Sequence, residues 1–180
     1  MSWKQYEFGK IAILSSDKFN PAISNENLPC IELEHIDQIT GRLLGMTCSN
    51  NQKSIKNVFK KNQILYGKLR PYLRKYYKAE FDGVCSTEIW VIEGVKSKIL
   101  NEYLFYIIQS EQFNRFANVS SGTKMPRADW NYVSEVVFKL PPIFEQKKIV
   151  KILSTWDKAI ELKEKLIEEK KIQKTGLMQK

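Results

Sequence analysis

The run LPPIFEQKKIVKILSTWDKAIELKEKLIEEKKIQK, from Leu140 to Lys174, constrains the chain more than any other stretch. A proline pair closes off whatever precedes it, and neither proline nor glycine follows until Gly176. From Ile149 onward, apolar residues recur at steps of four and three: Ile149, Leu153, Trp156, Ile160 and, after a break at Lys163, Ile167. That is the heptad seam of a long helix. A second stripe runs through Ile152, Ala159 and Leu166. Nothing later in the sequence can cover these residues, so the helix is expected to find a partner. The pattern leaves open which stripe meets a second copy and which a different protein.

The remaining length suits one packed domain ahead of that helix. The chain has 180 residues, 43% of them hydrophobic, which is enough for a core. Its formal net charge of +9 favours a polyanion such as nucleic acid, with a merely lysine-rich exterior as the bland alternative. Cys30, Cys48 and Cys85 are widely spaced and odd in number, and His35 is the only histidine. A structural zinc site is therefore not expected, and three buried free thiols are. Neither a signal peptide nor a membrane span is apparent, so a cytoplasmic location is expected.

Along residues 1–140 the pattern is one of short strands, turns and a few helices. Alternation from Ile31 to Ile39 predicts a half-buried strand before a turn at Gly41. TCSNNQKSIKN reads as loop, Ile64–Tyr66 as a short apolar run, and Val84–Ile92 as strand. A helical face through Leu100, Leu104, Ile107, Ile108 and Phe113 predicts a helix over 98–118. Val133–Leu140 reads as a last strand.

Two basic segments stand out. Lys53, Lys56, Lys60, Lys61, Lys68, Arg70, Arg74, Lys75 and Lys78 fall in one stretch whose first acid is Glu80, with Tyr66, Tyr72, Tyr76 and Tyr77 interleaved. Lysine and arginine can neutralise phosphates, and tyrosine can contact sugar, phosphate or base; a solvated face over half-buried tyrosines accounts for the pattern equally well. The second segment, Ser121–Arg127, sets hydroxyl residues and cations beside Gly122, a composition suited to an anion or to an ordinary surface turn.

Catalytic readings fail on detail. Pro141-Pro142-Ile143-Phe144 superficially matches the NPPY motif of amino-methyltransferases, but Leu140 stands where the amide or carboxylate is needed, and no glycine-rich cofactor loop follows a strand. Glu145-Gln146-Lys147 has the E-x-K spacing of a nuclease but opens a helix, where Glu145 favours the positive end of the dipole. Asp82, Glu88 and Glu93 would have to converge on a metal, which sequence cannot show. No catalytic and no metal-binding residue is assigned.

ILYGKLRPYLRK, GVCSTEIWVI, SGTKMPRADW and LPPIFEQKKIVKILSTWDKAIE, in that order over residues 64–161, together resemble the specificity subunit of type I restriction–modification systems. The resemblance implies an α+β fold: a target-recognition domain of short strands and helices over 1–140, then a conserved spacer helix over 141–180 that pairs as an antiparallel coiled coil. A complete subunit of that family carries two such domains and two helices. One of each implies a half-subunit that forms a homodimer and reads an inverted-repeat DNA site. The resemblance also implies a non-catalytic chain without cofactor. S-adenosylmethionine, ATP and Mg²⁺ belong to partner modification and restriction subunits, which methylate adenine and cleave.

Carried onto matching positions, it puts DNA contacts at Lys68, Arg70, Tyr72, Arg74, Lys75, Thr123, Lys124 and Arg127. It puts the dimer or partner contacts at Ile149, Leu153, Trp156, Ile160 and Ile167. Ser86, Thr87 and Glu88 match a serine-rich strand whose role is equally well structural. A small restriction-class nuclease and a basic RNA-binding dimer are the competing readings.

Overall fold

The structure, a computed structural model, describes residues 2–119 and 125–178. It is an α+β arrangement of three small sheets and four helices among the described residues. β1 (Lys4–Glu7) pairs antiparallel with β11 (Val137–Leu140), so the first strand closes against the last. The four-stranded sheet has the order β2 (Ala12–Leu14), β10 (Ile89–Gly94), β7 (Ile64–Gly67), β8 (Tyr76–Lys78), all antiparallel. The five-stranded sheet runs β3 (Lys18–Phe19), β6 (Lys56–Phe59), β9 (Gly83–Cys85), β4 (Pro29–Ile31), β5 (Thr47–Cys48). Its β4–β9 pair is parallel.

The main core is aromatic. Phe8 sits 5.2 Å from Phe113 and 5.5 Å from Phe138, and Tyr66 packs edge-on against Phe113 and stacks on Trp90. Fully burying each such ring contributes roughly 1.5–3 kcal/mol. Tyr66, Tyr76 and Tyr77 are therefore core residues, and only Tyr72 of the four interleaved tyrosines is exposed. Burial holds the Tyr66 hydroxyl well above the usual phenol range.

Several expected elements come out differently. β4 ends at Ile31 because Glu32 and His35 form a capping box that starts a 3₁₀ turn at Leu33–His35, so the strand to Ile39 is not made. The loop over 47–57 contains β5, a 3₁₀ turn at Ser49–Asn51 and the start of β6. The strand over Val84–Ile92 is two strands separated by the turn at Ser86–Glu88.

The helix over 98–118 is two, α1 (Asn101–Gln109) and α2 (Glu111–Ala117). Ser110 is extended at the break and caps α2 by accepting from Phe113 N–H, while buried Asn114 donates to the carbonyls of Ile108 and Ser110. The last strand starts only at Val137, because Asp129 caps α3 (Trp130–Glu135) in front of it. Cys30 and Cys85 are buried but Cys48 is exposed, so two of the three thiols follow expectation.

α4 (Ile143–Met178) begins directly after the proline pair. Its first turns belong to the domain. Gln146 is fully buried: its carbonyl oxygen accepts from Leu100 N–H at 3.0 Å, and its amide donates to the carbonyls of Lys98 and Pro141, both at 2.9 Å. Ile149 and Val150 pack on the aromatic core. Further along, Tyr106 donates to Asp157 at 2.7 Å, and Arg42 pairs with Glu164. No helix among the described residues is long and apolar enough to cross a membrane.

Candidate nucleic-acid interface

Three segments far apart in sequence meet on one face. The loop after β7 holds a 3₁₀ turn, Pro71–Leu73, between Arg70 and Arg74, both in left-handed backbone at φ 52° and 49°. That loop is stitched to residues 126–128: Arg70 N–H donates to Pro126 at 2.8 Å, Ala128 N–H donates to Lys68 at 2.8 Å, and Leu69 and Arg127 form an isolated bridge. The Ser86–Glu88 turn joins them, since Lys68 N–H donates to the Glu88 carbonyl at 2.9 Å. Lys68–Arg74 of the first basic segment and Arg127 of the second are thus brought side by side.

Their side chains differ in availability. Arg127 makes a two-pronged pair with Glu88, at 2.9 and 3.2 Å, and Arg74 makes one with Glu111. The guanidinium bond from Arg74 holds the Glu111 carboxyl below the usual carboxylate range. Both pairs are exposed enough for a phosphate to compete with the carboxylate. Lys75 reaches back to the Leu33 carbonyl at 2.6 Å. Lys56, counted above with the basic run, is buried and tied to Glu32 at 2.5 Å, so it points away from any ligand. Lys68, Arg70 and exposed Tyr72 have no carboxylate partner among the described residues. Thr123 and Lys124 lie outside the described residues.

The carboxylates that a nuclease would need are engaged separately. Asp82 accepts from Lys61 N–H and from the Lys60 ammonium, Glu88 holds Arg127, and Glu93 accepts from Gln63. Among the described residues no three His, Cys, Asp or Glu side chains gather as a metal site.

The seam of α4 divides. Ile149 packs on its own domain, and Leu153 lines a groove of 730 Å³ together with Trp3, Tyr103, Tyr106, Ile107 and Ile149. Trp156, Ile160 and Ile167 stay 53–65% exposed. At about 100° per residue, Ile152 and Leu166 flank them, leaving an exposed apolar face whose centre lies about a quarter-turn around the helix from Gln146, Asp157 and Glu164.

Residues 44–171 match the type I restriction modification DNA specificity domain. The chain belongs to that specificity family. It is 32% identical over 153 residues to the EcoDI specificity subunit of Escherichia coli, covering 83% of this chain and 34% of that subunit. Against the HindI specificity subunit of Haemophilus influenzae it is 30% identical over 170 residues, covering 89% and 36%. It thus spans about a third of the length of these curated relatives.

The fold is similar to the HsdS subunit of Thermoanaerobacter tengcongensis, with a TM-score of 0.76 at 21% identity over 90% of this chain and 44% of that one. An S subunit from M. genitalium aligns at a TM-score of 0.61 and 18% identity, over 92% of this chain and 42% of that one. Membership of the family agrees with the resemblance read from the four motifs. Gln146 is the residue that sequence reasoning missed; it passed as the middle of E-x-K, and only its polarity between apolar turns hinted at burial.

Proposed function

We propose that this chain is the DNA sequence-recognition component of a type I restriction–modification complex, with a target-recognition domain over 1–140 and a spacer helix over 141–180. The observation that carries the reading is the backbone pairing of the Lys68–Lys75 loop with residues 126–128, which brings Arg127 beside Lys68 and Arg70. Lys68, Arg70, Tyr72, Arg74, Lys75, Arg127 and the Thr123-Lys124 loop contact DNA, largely at phosphates. The chain performs no chemistry. Partner modification subunits supply S-adenosylmethionine and methylate adenine, and restriction subunits supply ATP- and Mg²⁺-dependent cleavage.

Two copies pair antiparallel through Trp156, Ile160 and Ile167. The 36 residues of α4, at about 1.5 Å each, span on the order of 54 Å. That exceeds one turn of B-DNA, about 34 Å, so the dimer reads an inverted-repeat site with a central spacer. The test is the pattern of methylated adenines in cells expressing the chain with its modification subunit. A two-part inverted-repeat motif is expected; methylation with no motif, or cleavage by the purified chain with Mg²⁺ alone, overturns the reading.

A further inference from the structure

Four non-glycine residues among those described have left-handed backbone, and three of them meet at one place: Ile39 (φ 68°), Arg70 (φ 52°) and Arg74 (φ 49°). Ile39 N–H donates to the Arg74 carbonyl at 3.0 Å, and Gln38 forms an isolated bridge with Lys75. The Asp37–Arg42 loop therefore stands beside the basic loop. A β-branched residue at positive φ is a steric outlier that persists only where its surroundings over-determine it.

Here they do. The Ile36–Leu43 bridge closes the loop, and Asp37 N–H donates to Arg42 at 2.9 Å. Thr40 donates to the Asp37 carboxylate at 2.7 Å, and Tyr76 donates from its hydroxyl to the Ile39 carbonyl. Gly41, at φ 69°, fits under the Tyr76 ring, whose nearest carbon lies 2.8 Å from where a Cβ would be. Glycine or asparagine would hold the Ile39 backbone with less strain. Burial does not offset that strain, because the side chain is 64% exposed.

The loop thus holds one apolar side chain in solvent, with its main chain bonded to Arg74 and with Arg42, paired to Glu164, three residues on. Such a side chain beside cations suits a groove wall, where aliphatic groups read a thymine methyl or wedge at a base step while arginines hold phosphates. We infer that the Asp37–Arg42 loop is a further element of the DNA-reading face and that Ile39 is a specificity-determining residue. This rests on the DNA-recognition reading above.

The test compares methylation patterns in cells expressing the modification subunit with the full chain, Ile39→Gly or Ile39→Val, alongside thermal unfolding of each purified chain. Ile39→Gly should raise the unfolding midpoint by about 2 °C or more, since it relieves strain. It should also lower discrimination between the motif and sites one base away by about fivefold or more. Ile39→Val should keep the discrimination. An unchanged motif in Ile39→Gly overturns the inference, as does a lowered midpoint, which would make the side chain a packing residue. Loss of all methylation in Ile39→Gly together with loss of the copurifying modification subunit also overturns it, because the loop would then face protein. Absence of any motif with the unaltered chain instead removes the DNA-recognition reading, so the two failures are distinguishable.

Discussion

Gln146→Ala should loosen the join between domain and helix. Its amide makes three hydrogen bonds at 2.9–3.0 Å, all to main-chain groups of Lys98, Leu100 and Pro141. Truncation leaves one buried N–H and two carbonyls without that partner and opens a small void. Each orphaned group costs about 1–3 kcal/mol, but some will recruit water, so a total of roughly 3–4 kcal/mol is expected. For a chain of this size that is a fall in the unfolding midpoint of about 6–16 °C.

Gln146→Glu sharpens the test. The carboxylate still accepts from Leu100 but faces two carbonyls with no proton to donate. Burial and those carbonyls raise its pKa in the folded state, so its stability is greatest below the unfolded value, about 4.3, and is lost as pH rises through the folded value. The Glu variant should therefore be as damaged as Ala at pH 7 and recover partly toward pH 4. Thermal unfolding followed by circular dichroism at both pH values reads this. A shift under about 2 °C for both variants at pH 7 would refute the clasp.

Trp156→Asp or Ile160→Asp should convert a dimer to a monomer in light scattering without lowering the unfolding midpoint of the domain, since both residues are exposed and outside the core; a wild-type monomer sinks the helix-pairing reading. Arg74→Ala should weaken DNA binding across all sequences and reduce its salt slope by about one. It should also return Glu111 to an ordinary carboxyl titration. In the native chain that carboxyl titrates low, so any stability it adds is present above the unfolded value and lost as pH falls through the folded one. At pH 8 a thiol reagent should label one cysteine, Cys48, and all three after denaturation, because burial pushes Cys30 up to about 12 and Cys85 higher still; fast labelling of two native thiols refutes that.

What could be read in advance depended on whether the deciding contact was local. The apolar run Ile64–Tyr66, which lies in β7, and the long helix declared themselves through composition and period, and Gly41 marked its turn. The break at Ser110 did not, because the apolar face from Leu100 to Phe113 continues across it and the clamp comes from a buried asparagine four residues on. Likewise, Lys56 and Lys68 look alike in the sequence. Only the sheet order, which sets Glu32 at the end of β4 within reach of Lys56 on β6 with β9 between, buries one and leaves the other half-exposed. The convergence of the Lys68 and Arg127 segments was not legible at all, because the main-chain bonds that join them link residues 56 and 60 positions apart and have no signature of their own.

The helix shows the same limit from the other side. Its heptad steps treat Ile149, Leu153, Trp156, Ile160 and Ile167 as equivalent, because period alone reports which residues share a face. It does not report what that face meets. The answer changes along α4 because the domain ends before the helix does. Where Gln146 and Tyr106 hold the helix against its own domain, Ile149 packs on the core; farther along, where Arg42 pairs with Glu164, Trp156, Ile160 and Ile167 on the same side of the helix as Ile149 are exposed. One stripe therefore serves two purposes. Its first half packs against the domain and its second half is exposed, so the spacing proposed for α4 requires both halves.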